Sequence, residues 1–102
     1  MRELIERLEA ATGPDREMDF AIAAAVGWPD SPHSHQHARR YSDSLDAALT
    51  LVPEGATWLA AGHPTQRARA SVPVSTPAIA GATPALAICI AALRARMEAS
   101  DA

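Results

Sequence analysis

The residues of this chain best suited to chemistry lie in "PHSHQHARRY", residues 32 to 41, where His33, His35 and His37 recur at every second position. On an extended segment that spacing turns three imidazoles to one face, and imidazole is a common zinc ligand. Two such histidines can share one ion. Three in a row cannot easily do so, because strand rise sets the outer pair about 13 Å apart. A loop curled round the ion would give up conformational freedom instead. His63, Asp30 or Asp43 could complete a shell only if the fold brought them close. The adopted reading is a solvated polar loop without a native metal, with His33, His35 and His37 kept as the alternative.

The other reactive side chains are isolated. Cys89, the one cysteine, falls beside the apolar stripe of a helical segment, where a free thiol usually packs as a small hydrophobe. A nucleophile would need a lowered pKa and a partner base, and the sequence places neither. Asp43 and Asp46 fall in the first turn of a helix, where the dipole alone favours acids. Trp28 and Trp58 suit a core as well as a ligand platform. No catalytic residue and no cofactor follow from these positions.

Arg39, Arg40, Arg67 and Arg69 are the basic concentration outside the final helix. If "ARRY" paired beside "RARA", they would form one cationic face carrying Tyr41, suited to an anionic small molecule such as a nucleotide, or to single-stranded nucleic acid. The plainer explanation is that exposed arginines on a strand blunt its edge.

Helices and strands must hold these residues in place. "RELIERLEAA" puts Leu4, Ile5, Leu8 and Ala11 on one helical face and its acids in water, predicting a helix over 2–11. Gly13 stops it, and Pro14, Asp15 and Glu17 open a second helix over 14–26 with Met18, Ile22, Ala25 and Val26 in a stripe. Residues 27–41 break all periodicity and read as a loop. A third helix over 43–52 is capped by Ser42 or Ser44 and ended by "VPEG".

Two extended segments follow, 56–61 and 67–74. In the second, Arg67, Arg69 and Ser71 face one way and Ala68, Ala70, Val72 and Val74 the other. Pro73 ends that strand or confines it to an edge. A two-stranded hairpin is marginal in water. Completion is therefore expected from "ARRYS", from residues near Ile79, or from a second subunit pairing edge to edge. The last helix, over 83–98, has Thr83 as cap, Pro84 at its first position and Leu86, Ile90, Leu93 and Met97 as a stripe. Its alanines allow a close neighbour.

Composition bounds the class. The 102 residues suffice for one domain with a thin core, since 48% are hydrophobic but only 4% aromatic. A formal charge of −3 argues against general adhesion to nucleic acid or anionic membranes. No apolar run reaches about 18 residues, so no membrane span is expected. The single cysteine, with no charged-then-apolar leader, points to a reducing cytoplasm.

Four segments taken together, "LIERLEAATGPDREMDFAIAAAVGW", "YSDSLDAALTLVPEG", "RARA" and "GATPALAICIAALRAR", resemble in order and spacing the phage ABA sandwich domain family, small proteins of phages and prophage-like regions. That resemblance implies a small α/β/α sandwich within the α+β class, with amphipathic helices packing an antiparallel hairpin-based sheet. It implies no reaction. Members often follow "VPEG" directly with an aromatic residue, where this chain has Ala56, with Trp58 later. The expectation is a non-enzymatic phage or prophage accessory protein, acting by contact with a host protein or with copies of itself as a homodimer or small homo-oligomer. Binding of an anionic small ligand is the alternative, and a nucleic-acid module the second.

Overall fold

The computed structural model of the protein describes residues 2–25, 40–53, 55–62, 66–74 and 76–101, with side chains to Glu98. In chain order the described elements are α1 (Arg2–Ala10), α2 (Arg16–Ala25), α3 (Leu45–Leu49), β1 (Leu59–Ala61), β2 (Ala68–Ser71), β3 (Ile79–Gly81) and α4 (Pro84–Asp101). The strands form one antiparallel sheet in the order β1-β2-β3. This is a small α+β fold, with helices packed on an antiparallel sheet. The third strand comes from Ile79–Gly81, so the hairpin is completed within one chain and a partner subunit is not required for it. Arg40 and Tyr41 lie in a turn ahead of α3, not in a strand beside β2.

Local chemistry sets where the helices begin. Asp15 caps α2, its side chain accepting from Glu17 N at 2.9 Å and its carbonyl from Asp19 N at 3.2 Å, which leaves Pro14 outside the helix. Ser44, in extended conformation, caps α3 by accepting from Ala47 N at 3.3 Å. Thr83 caps α4 by accepting from Leu86 N at 3.1 Å, with Pro84 at the first position, where a missing N–H is harmless. Helix α3 stops at Leu49, and Gly55 then adopts φ 81°, a left-handed conformation that favours glycine.

α4 is the centre of the molecule. Every residue from Ala85 to Leu93 is buried, so the helix is enclosed on all sides over more than two turns. Small residues face the sheet: Ala87 lies under Gly81, and Ala91 and Ala95 stand across from Val72 and Ile79. On the strands, the register puts Ala60, Ala68, Ala70, Ile79 and Gly81 on that same side. Other sides of α4 meet α1 and the α3 region, where Arg94 reaches Glu9 and Arg96 Nε donates to the Leu51 carbonyl at 2.7 Å.

Alanine against alanine brings the layers close, and Gly81 marks the limit. A Cβ there would lie 2.6 Å from Ala87 N and 2.8 Å from its Cα, both backbone atoms that cannot swing aside. Gly81→Ala must push strand and helix apart. We expect it to lower stability by about 1–3 kcal/mol in urea unfolding, the usual range for overpacking. Gly13→Ala, with nothing within 4 Å, serves as the control and should change little. Equal stability of the two variants would contradict this packing.

Candidate functional site

The side of the sheet turned away from α4 carries Leu59, Ala61, Arg69 and Ala80, all exposed. Ser71 breaks the alternation expected for β2 and is buried, while Val74, expected on the buried side, is exposed. The chain leaves the ladder after Ser71, at Val72 and Pro73, so period-2 reasoning fails for Val74; Ser71 is still in register with Leu59.

Among the described residues, three large apolar side chains are open to solvent: Trp58 at 46%, Leu59 at 55% and Val74 at 47%. They belong to one end of the β1–β2 ladder, because Leu59 pairs with Ser71 and Val74 N donates to Thr57 Oγ1 at 3.0 Å. Trp58 is thus a surface residue. Trp28, Arg39, His33, His35, His37, Asp30 and His63 lie outside the described residues. Among the described residues no group of three His, Cys, Asp or Glu side chains is gathered that could hold a metal ion.

The expected cationic face is divided. Arg69 is exposed at mid-sheet between Ala61 and Ala80. Arg67 is exposed and its Nη2 donates to the Glu9 carbonyl at 2.9 Å, near the negative end of α1. Arg40 is exposed in the turn before α3, its carbonyl accepting from Ser44 N at 2.8 Å. Tyr41 is only 1% exposed, so its ring is a core element and offers no stacking surface. Arg67 has a different neighbour: Arg94 Nη2 donates to Glu9 Oε1 at 2.8 Å, so both guanidinium groups meet at one residue.

A buried polar cluster ties α2 to the turn before α3. Asp19, 2% exposed, accepts from Ser42 N at 2.8 Å and Ser42 Oγ at 2.7 Å, and pairs with Arg16 Nη1 at 3.1 Å. Ser42 Oγ accepts from Asp15 N at 2.9 Å, and its single proton has two acceptors in reach, the Asp19 carboxylate at 2.7 Å and the Asp15 carbonyl at 3.1 Å, of which the charged and nearer one is favoured. Next to it, Cys89 Sγ donates to the Tyr41 carbonyl at 3.2 Å. Sequence reasoning missed Asp19 and considered Ser42 only as a cap. The available signal was a carboxylate on the stripe of Met18 and Ile22, where an apolar residue belongs.

Comparison of the chain with protein-family models, curated proteins and solved structures finds no match. Its surfaces are therefore read from their own geometry. Among the described residues no helix is long and apolar enough to cross a membrane.

Burial, with a smaller repulsion from Asp19, pushes the Cys89 thiol up from 9.0 to about 12. The folded thiol keeps its proton where the unfolded one ionises, so stability falls as pH rises from about 9 toward 12, by up to about 1.4 kcal/mol per pH unit. Unfolding series at pH 8 and at about 10.5 should show wild type losing about 2 kcal/mol more than Cys89→Ala. Equal losses, or ready alkylation of the folded thiol at pH 8, would refute it.

Proposed function

We propose that this chain is a non-enzymatic binding protein that works by protein–protein contact at the β1 end of its sheet, with self-association as the first such contact. The observation that carries this is an edge that no element among the described residues covers. β1 is three residues, Leu59–Ala61, with no charge and no proline, flanked by an exposed tryptophan. Natural edges are usually blunted by charge, proline or a covering element. The opposite edge, β3, has α1 packed beside it.

Edge-to-edge pairing suits these residues better than face-to-face stacking. Stacked sheets would bring Arg69 of one copy toward Arg69 of the other, two like charges leaving water together. Pairing β1 with β1 of a second copy satisfies backbone groups that no strand among the described residues pairs, and lets Trp58 and Leu59 lose solvent. An edge this short makes a reversible dimer, not an obligate one. That it is not an enzyme is part of the proposal, supported by the burial of Asp19, Ser42 and Cys89, the polar cluster between α2 and the turn before α3. A phage or prophage setting rests on the resemblance of the four segments, and a host protein is the other partner that an apolar edge would accept.

Light scattering over a rising concentration series tests this. The mass should climb from 10.7 kDa toward twice that value, and Trp58→Ser with Leu59→Lys should hold it at the monomer. A wild-type chain that stays monomeric throughout, or a dimer that survives both substitutions, would count against it.

A further inference from the structure

We propose that the cleft where α1, β3 and α4 meet binds a small organic carboxylate with an apolar body, through the side edge of the Arg94 guanidinium. This site is separate from the β1 edge and stands or falls independently of it.

Three adjoining clefts, of about 200, 330 and 300 Å³, share Arg94 as a lining residue. Together they reach the size of a small-ligand site. The guanidinium is planar, and its Nε and Nη2 hydrogens point the same way, spaced to take both oxygens of one carboxylate. In this structure that edge is half used. Nη2 holds Glu9 Oε1 at 2.8 Å, but Nε is buried with no hydrogen-bond partner among the described residues. An unpaired buried donor is unfavourable, and Glu9, fixed to the last turn of α1, supplies one oxygen where two are wanted.

Glu9 and Arg94 side chains are 40% and 42% exposed, so both can swing. A free carboxylate can therefore displace Glu9 and engage Nε and Nη2 together. The charge balance disfavours a dianion. The middle cleft has Arg67 and Arg94 against Glu9, while Arg2 with Glu6 and Glu98 line the clefts on either side, so the site as a whole is balanced. A phosphate dianion would meet more repulsion from these carboxylates than a single carboxylate does. In the adjoining cleft Val72, Ile79, Ala91 and Ala95 form an apolar side that accepts a short hydrocarbon body, with Thr76 and Glu98 also in its lining.

The test is an amide-resolved NMR titration of the whole chain with hexanoate, with hexanol as the uncharged match and inorganic phosphate as the dianion. Hexanoate should shift the amides of Ile79, Ala80 and Arg94 saturably, while hexanol and phosphate should not. Glu9→Gln, which removes the internal competitor, should tighten hexanoate binding. Arg94→Lys keeps charge and stem but loses the paired donors, and should weaken it by about tenfold or more. Equal shifts with hexanol would reduce the cleft to an apolar groove. Unchanged affinity in a folded Arg94→Lys, or weaker binding in Glu9→Gln, would overturn the proposal.

Discussion

Between Gly81 and Ala87 a strand and a helix pass with no side chain between them, and the rest of the structure is arranged around that approach. Because the sheet can come so near, Ala-rich strands cover the alanine face of α4 at Ala87 and Ala91, with Ala95 beyond them part-exposed, and its larger residues are free to meet the other helices. A thin core then suffices. Leu86, Ile88, Ile90 and Leu93 are each wholly buried within one helix, and burial of each is worth about 1.5–3 kcal/mol. Few aromatics are needed when one helix is wrapped on every side.

That arrangement also decides which surfaces are left over. Covering α4 uses one face of the sheet, and α1 beside β3 uses one edge. What the described residues leave uncovered is the other face, with Arg69 at its middle, and the β1 edge with Trp58 and Leu59. On the far side, α1 reaches α4 through the Glu9–Arg94 pair. An ion pair at this exposure contributes little to stability. Its geometry leaves a donor unused. The buried Asp19–Ser42 pair has the opposite character, with both partners enclosed and their hydrogen bonds short. It secures the turn that carries Tyr41 into the core.

Much of the fold was legible because its signals are local. Thr83 with Pro84, Ser44, and Asp15 each announce a helix start through bonds spanning two or three residues. The alternation of Arg67, Ala68, Arg69 and Ala70 gave β2 its sides correctly. What was not legible depends on distant partners. The stripe Leu86, Ile90, Leu93 and Met97 described one side of α4, whereas Ala85, Ala87, Ala91 and Ala92 fit a surface or a core equally well by composition. Gly81 decides the matter, and a glycine in a strand does not reveal what it lies against. Tyr41 was read with its arginine neighbours. Its burial follows from Asp19, 22 positions earlier, whose carboxylate holds Ser42.

Native-state hydrogen exchange tests the central claim, that α4 is the enclosed hub, more directly than any substitution. Amides from Ile88 to Leu93 should exchange only through global unfolding, with free energies equal to that from urea denaturation, while those of α2 open at lower cost. If the α4 amides exchange through smaller openings than the rest of the molecule, the helix is peripheral and the account fails.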